Sequence, residues 1–146
     1  MAPPGFGVIH AHRSAIVGSR QVTRGGGLAV IYCTSLPTRT LKIYFQPTSF
    51  EVQFVGLQVG GILVKVVNIY RPPQLSKSTF MEEFAEMLTL ISSGQNERLV
   101  CGDCNLPGAD ATSVDRLLSE LLDEHGYAQH VTEPTRHSAN GKRPTC

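Results

Sequence analysis

An aspartate and an asparagine stand two residues apart directly after an apolar run. Asp103 and Asn105 follow residues 99–102 and come just before a Pro-Gly pair. Side chains two apart on a strand point to the same side. The carboxylate can orient or deprotonate a water molecule, and the amide can donate to a phosphoryl oxygen as charge develops there. Since open α/β sheets bind ligands where their strands end, the pair is a candidate phosphodiesterase site. The alternative is an ordinary turn, in which both residue types are common.

A tyrosine and an arginine end a second apolar run. Tyr70 and Arg71 close the β-branched segment 62–70 and are followed by two prolines, through which a central strand cannot continue. A phenol can hydrogen-bond a phosphate, and a guanidinium can pair with one. The alternative is a buried tyrosine with a satisfied hydroxyl beside a solvated arginine.

A polar loop near the end of the sequence contains further groups that suit a nucleic-acid backbone. Thr132, Thr135 and Arg136 supply hydroxyls and a guanidinium, which are frequent phosphate contacts. A solvated turn is the alternative for this loop.

Cys101 and Cys104 form a C-x-x-C pair, and His125 and His130 follow. Twenty residues separate the two pairs, whereas zinc fingers use about 12 to 15. Cys101 also stands in an apolar run, where a thiol packs as a small hydrophobe. We therefore expect reduced, packed cysteines, neither zinc nor redox chemistry, and no disulfide-linked partner.

The composition is that of one globular domain. The chain has 146 residues, of which 41% are hydrophobic and 17% charged. Its formal net charge of +1 gives no general nucleic-acid footprint, so any such contact needs a local basic patch. No membrane-spanning or secretory segment is evident. We expect an intracellular protein, nuclear or cytoplasmic.

Periodicity predicts strands first and then alternating strands and helices. Residues 1–24 read as an irregular lead-in and 25–146 as the domain. A helix is predicted from Thr79, with Glu82 completing a capping box and Gly94 closing it, and a second helix from near Thr112 to Gly126. Strands are predicted at 28–32, 41–45, 51–59, 62–70, 98–102 and 129–132, with a hairpin turn at Gly60-Gly61. This order predicts an α/β fold of two sheets with helices packed outside them.

Four of these segments together resemble a known family. Residues 25–32 (GGGLAVIY), 68–73 (NIYRPP), 99–107 (LVCGDCNLP) and 129–136 (QHVTEPTR) occur in this order. Their order and spacing are similar to those of the endonuclease/exonuclease/phosphatase superfamily. The strongest resemblance is to the apurinic-type endonuclease domain of non-LTR (LINE-type) retrotransposons.

The resemblance implies a fold, a reaction and roles for the candidate residues. It implies a DNase I-like, four-layer α/β sandwich of two mixed sheets with outer helices, here in part. It implies Mg-dependent hydrolysis of phosphodiesters, by which DNA is nicked to prime reverse transcription. Asp103 then activates or positions the attacking water, Asn105 steadies the phosphate, and Tyr70 contacts it. Arg71, Thr132, Thr135 and Arg136 become DNA contacts.

The same resemblance implies residues that the sequence does not contain. The family places a metal-binding glutamate before the position of Pro3 and an aspartate-histidine pair after that of Arg136. Cys104 also stands where a phenylalanine is usual. We therefore expect little or no nuclease activity from the chain as given. The alternatives are a non-catalytic module that binds nucleic acid or protein, and an unstable gene fragment.

Overall fold

In the described part of the chain, seven strands precede the first helix, which is followed by one more strand and a second helix. The computed structural model describes residues 2–12, 16–17, 20–21, 26–106 and 113–131. In these ranges the elements are β1 Phe6–His12, β2 Ile16–Val17, β3 Arg20–Gln21, β4 Gly27–Cys33, β5 Thr38–Thr40, β6 Glu51–Val59, β7 Ile62–Tyr70, α1 Lys77–Ile91, β8 Glu97–Asp103 and α2 Ser113–Glu124.

The central sheet has the strand order β5-β6-β7-β8 and is mixed. β6 and β7 form an antiparallel hairpin through Gly60 and Gly61, whose φ angles of 56° and 85° suit a tight two-residue turn. β7 and β8 are parallel, with Tyr70 beside Asp103 at their ends. Because a parallel pair needs a crossover, α1 connects these two strands.

One face of this sheet packs against α1 and forms the core. Side chains alternate along β6 and β7, so Phe54, Val67 and Ile69 point to the same side as the helix. The helical apolar stripe meets them there. The buried cluster consists of Phe50, Phe54, Val67, Ile69, Phe80, Phe84, Met87, Leu88, Ile91 and Leu106. Leu118, Leu121 and Leu122 of α2 pack against its outside.

The ends of α1 differ from those predicted. The helix begins at Lys77, because the Ser76 side chain accepts the N–H of Thr79 and acts as the N-cap. It ends at Ile91, and Ser92 is its C-cap. Lys65 of β7 donates to the carbonyl oxygens of Ile91 and Ser93 at 3.3 and 2.8 Å, which satisfies acceptors that helix ends leave open.

A second sheet covers the other face of the four-stranded sheet. β1 and β4 pair antiparallel from Phe6↔Cys33 to His12↔Gly27. Gln53 Nε2 donates to the Ile9 carbonyl at 2.9 Å, and Asn68 Nδ2 donates to the Ala29 carbonyl at 3.3 Å. These bonds join each strand of the β6–β7 hairpin to the second sheet.

Three predicted segments are corrected by the structure. The lead-in at 1–24 is not irregular throughout, because Phe6–His12 pair along their whole length with β4. The strand predicted at 41–45 lies at Thr38–Thr40 instead, and 41–47 run without ladder pairing. Residues 129–131 form no strand. In each case a segment forms a strand only where another segment pairs with it, and local apolar content does not reveal that partner.

The architecture confirms the predicted α/β class and partial sandwich. Helices, the mixed four-stranded sheet and the second sheet form successive layers, although β1–β4 is purely antiparallel rather than mixed. Among the described helices, none combines the length and the apolar content that crossing a membrane requires.

Candidate active site

The ends of three neighbouring strands bring together one row of polar side chains. Tyr70 is in register with Asp103 of β8 and with Glu51 of β6. Cα partners in register point to the same face. Gln53 and Asn68, two positions back on the same face, bond to the second sheet. The row Glu51–Tyr70–Asp103 therefore lies at the end of the interface between the two sheets.

Asp103 and Asn105 form a closed turn at the end of β8. The Asn105 N–H donates to Asp103 Oδ1 at 2.9 Å, the bond of an Asx turn. Asn105 has φ of 46°, a left-handed conformation that asparagine tolerates better than most residues. The turn interpretation and the site interpretation thus describe the same geometry, because the turn fixes the carboxylate relative to the amide.

The Asn105 side chain ties this turn to the end of β7. Its Nδ2 donates to the Arg71 carbonyl at 2.7 Å, and the Arg71 N–H donates to the Asp103 carbonyl at 2.9 Å. Each of the two chain segments therefore holds the other where the strands end. An amide nitrogen carries two hydrogens, so this bond orients the side chain without using all its donor capacity.

Arg71 is not a surface residue. Its exposed fraction is 0%, and its guanidinium donates to the carbonyls of Cys104 (2.7 Å), Asn105 (2.9 Å), Leu75 (2.6 Å) and Pro72 (3.3 Å). The predicted DNA contact through Arg71 is therefore wrong for this structure, because its donors point inward. A planar guanidinium has five fixed N–H donors, which suits it to join the β8 turn to the β7–α1 connection.

The charge of Arg71 lies beside the candidate carboxylate. Burial lowers the pKa of Arg71, while Cys104, once its thiol ionises at high pH, and the Asp103 carboxylate act in the opposite direction. Its guanidinium also lies 5.8 Å from the centre of the Phe80 ring, within the range of a cation–π contact. Arg71 therefore supplies a buried positive charge beneath the site.

Gly102 allows β8 to approach β7 where the site is built. Its φ is 135°, and a Cβ added there would lie 1.9 Å from the Ile69 carbonyl oxygen. A side chain cannot occupy that space, and this backbone region is essentially restricted to glycine. The residue directly before Asp103 thus sets the strand spacing at the site.

Only one of the two cysteines near the candidate site is packed as predicted, because Cys104 is half-buried whereas Cys101 is exposed. Cys101 and Cys104 are free. Burial, and next the charge of Asp103, raise the pKa of Cys104 to about 11, and burial raises the pKa of Cys101. Both thiols therefore stay protonated at neutral pH. In the described ranges, no three His, Cys, Asp or Glu residues come together as a possible metal site.

Three predicted contacts fall outside the described ranges, and one residue of the polar row was not predicted. Thr132, Thr135 and Arg136 lie outside the described residues. Glu51, which sequence reasoning left out of the site, stands in its row. The signal was present: counting outward in pairs from the Gly60-Gly61 turn places Glu51 opposite Tyr70.

A solved structure has the same fold. It is the endonuclease domain of TRAS1, a telomere-specific non-LTR retrotransposon, which superposes with a TM-score of 0.59 at 18% sequence identity. The match covers 95% of this chain and 62% of the TRAS1 domain. No protein-family model matches the chain, and no curated protein does. The DNase I-like α/β fold is thus shared at fold level, and the chain spans less than two thirds of the TRAS1 domain.

Proposed function

We propose that the chain carries the phosphodiester-binding edge of a nucleic-acid endonuclease fold. The observation that supports this most is the register of Tyr70 and Asp103 at the ends of adjacent parallel strands, with Asn105 bonded to Asp103 and to the β7 end. Ligands of α/β sheets bind at such carboxyl ends. The fold shared with the TRAS1 endonuclease domain favours a phosphate ester as the ligand.

In the proposed reaction each side chain acts on a different part of the phosphate. The Asp103 carboxylate accepts a proton from the attacking water, whose oxygen forms the new bond to phosphorus. The bond to the leaving oxygen breaks, and that oxygen keeps the electron pair and takes a proton from solvent. The second amide N–H of Asn105 donates to a phosphoryl oxygen on which charge develops. The Tyr70 hydroxyl donates to another phosphoryl oxygen.

Magnesium is the ion that the resemblance implies, and it supplies charge stabilisation to the phosphoryl group when bound. Magnesium prefers an octahedral set of oxygen ligands, often one or two carboxylates with water and phosphate. In the described ranges Asp103 supplies a carboxylate at this edge, and one of its oxygens already accepts the Asn105 N–H. These residues do not by themselves complete a magnesium site.

The proposal is tested by Asp103→Asn in a supercoiled-plasmid nicking assay with Mg²⁺. Asparagine keeps an oxygen that can accept the Asn105 N–H, so the fold should be retained, whereas a general base is lost. We expect weak nicking from the chain as given and a further loss of about a hundredfold or more in the variant. Equal nicking by both proteins would contradict the assignment of Asp103. If the original chain nicks robustly and Asp103→Asn abolishes the nicking, the assignment of Asp103 is supported and the expectation of weak activity is refuted.

A second candidate is a module that binds nucleic acid without cleaving it. It is favoured by the hydrogen bonds that already engage Asp103 and Asn105 within the protein. DNA binding with a steep salt dependence, together with no nicking above the level of a heat-denatured sample, would support this candidate over the first.

A further inference from the structure

The segment between β5 and β6 exposes a tyrosine almost completely. Tyr44 has an exposed fraction of 96%. Along 41–46 exposure alternates, so that Leu41, Ile43 and Phe45 pack against the core while Lys42, Tyr44 and Gln46 face solvent. These three exposed residues are called the 42–46 rim. The Tyr44 ring is exposed to solvent although the segment around it is well packed, so the ring contributes nothing to the core.

Hydrogen bonds and ring contacts of neighbouring residues fix the backbone that carries the 42–46 rim. The Leu41 N–H donates to the Phe54 carbonyl at 2.9 Å, and the rings of Phe45 and Phe50 lie 6.1 Å apart. The Glu83 carboxylate accepts the N–H and hydroxyl groups of both Thr48 and Ser49. A surface presented in one conformation loses little entropy when it binds a partner.

The sheet topology places the rim at the same end as the candidate active site. β5 runs from Thr38, beside Leu57, toward Thr40, beside Val55. It therefore leads to the end of β6 at Glu51, the residue in register with Tyr70. Two strand spacings, roughly 10 Å, separate β6 from β8. A strand of nucleic acid crossing Asp103 would thus reach the rim within a few nucleotides.

The electrostatic surroundings of the rim favour a polyanion. No aspartate or glutamate precedes Glu51 in the sequence, whereas Arg39 comes just before the segment and Lys42 belongs to it. Two acids lie near the segment: Glu83, whose carboxylate accepts four hydrogen bonds from Thr48 and Ser49, and Glu51, at the end of β6 to which β5 leads. A basic segment of this kind fits an anionic partner, and the exposed ring beside it favours a nucleic acid, whose bases can stack on that ring.

We propose that Tyr44 stacks on an unpaired base of the nucleic acid bound at the candidate active site, with Lys42 contacting the adjacent phosphate. This inference rests on the proposed function and names the substrate region that the rim would recognise. Aromatic rings beside cations are the usual platform for single-stranded nucleic acid, because every base has a π-face. A tyrosine also limits the entropy lost, since it has only two rotatable side-chain bonds.

The direct test uses Tyr44→Trp. The chain contains no tryptophan, so this substitution introduces a single indole whose emission reports on stacking. We expect a single-stranded oligonucleotide of mixed sequence, added in EDTA, to quench that emission. Leu90→Trp, at an exposed position on α1, is the control and should show no quenching. Equal quenching at both positions, or none at position 44 while the oligonucleotide is bound, would overturn the inference.

Affinity measurements separate stacking from charge. By fluorescence anisotropy we expect Tyr44→Ala to weaken single-strand binding about tenfold with an unchanged salt slope, and Tyr44→Phe to bind nearly as the original chain does. Lys42→Ala should reduce the salt slope by about 0.7, the value for one phosphate contact on a single strand. Arg116→Ala, which removes an exposed charge paired with Glu120, is the charge-matched control.

The outcomes distinguish this inference from the proposed function. If the unsubstituted chain binds no oligonucleotide at low salt, the proposed function fails and the inference fails with it. If it binds but Tyr44→Ala has no effect, or a duplex competes as well as the single strand, only the inference is overturned. If Tyr44→Phe binds as weakly as Tyr44→Ala, the hydroxyl rather than the ring makes the contact, which also overturns it.

Discussion

The four-stranded sheet and the β1–β4 sheet are both paired along their strands but are packed differently. The β6–β7–β8 part of the four-stranded sheet lies against α1, with Val67, Phe80 and Leu88 at exposed fractions of 0%. The β1–β4 sheet has a continuous ladder of seven residue pairs, yet none of its residues is fully buried, and Ile31 is 64% exposed. Complete backbone pairing therefore does not by itself create a core.

The difference shows where the candidate site obtains its rigidity. Tyr70 and Asp103 end strands of the packed sheet and Asn105 follows one of them. The buried guanidinium of Arg71 holds the turn at Asn105. The second sheet approaches from the other face and is joined to the hairpin through Gln53 and Asn68. We therefore expect substitutions near the β7–β8 ends to be costly and matched changes in β1–β4 to be mild.

The largest effect is expected at Gly102. Gly102→Ala would place a Cβ 1.9 Å from the Ile69 carbonyl oxygen at φ of 135°, so β7 and β8 would have to separate. We expect a loss of more than about 4 kcal/mol in the free energy of unfolding, measured by urea titration. Gly126→Ala is the control, because its φ is 72° but nothing lies within 4 Å of the added atom. Similar losses for the two variants would show that strand spacing is not the cause.

Arg71 is expected to rank second. Arg71→Met keeps much of the side-chain volume but leaves the carbonyls of Cys104, Asn105 and Leu75 without this donor. We expect a loss of about 3 kcal/mol and faster hydrogen exchange at the Asn105 N–H. Arg71→Lys, with three donors that are not fork-shaped, should recover only part of this loss. Full recovery by lysine would mean that charge alone matters.

The contrast also explains what the sequence could predict. Hydrophobic periodicity located β6, β7, β8 and both helices, because each of these elements is half-buried against the core. β1 was missed because its partner, β4, is distant in sequence and its burial is incomplete. Residue type and strand end predicted that Asp103 and Tyr70 would stand close together at the ends of neighbouring strands, and the structure places them in register there; their roles in a site stay a prediction. The burial of Arg71 was not, because its carbonyl partners are set by tertiary structure.

Paired leucine truncations compare the packing on the two sides of the four-stranded sheet, where α1 and the β1–β4 sheet lie. Leu88 has an exposed fraction of 0%, and Leu28 of β4 is half-buried. We expect Leu88→Ala to cost about 3 kcal/mol and Leu28→Ala about 1 kcal/mol or less, because only the first leaves a closed cavity. Chemical denaturation of both variants in the same buffer provides the comparison. Equal costs would mean that the β1–β4 sheet packs as tightly against the four-stranded sheet as α1 does.

Glu83 makes part of the packed side depend on pH. Burial would raise its pKa, but hydrogen bonds from Ser49 and Thr48 outweigh that effect, and the pKa of Glu83 is lowered. As the pH falls, the unfolded chain therefore binds the proton first, so this stabilisation is present above pH about 4.5 and is lost on acidification. We expect Glu83→Gln to cost about 2 kcal/mol at pH 7 and progressively less toward pH 3.

Thermal unfolding midpoints recorded across this pH range would show the effect. Glu86→Gln, at an exposed position of the same helix, is the matched control and should leave the pH profile unchanged. A constant difference between Glu83→Gln and the original chain at every pH would contradict the assignment of the titration to Glu83.

The smallest effects are expected at the bonds between the sheets. Gln53 is 3% exposed and donates at 2.9 Å, whereas Asn68 is half-buried and donates at 3.3 Å. Gln53→Ala should cost about 1 kcal/mol and Asn68→Ala about 0.5 kcal/mol. The Gln53 cost is moderated because its Oε1 is buried with no hydrogen-bond partner among the described residues, so truncation also removes an unsatisfied acceptor.

Hydrogen exchange in these two variants should then accelerate in β1 and β4 but not in β7 or β8. Acceleration across all four strands would show that the two sheets unfold as one unit despite their unequal packing.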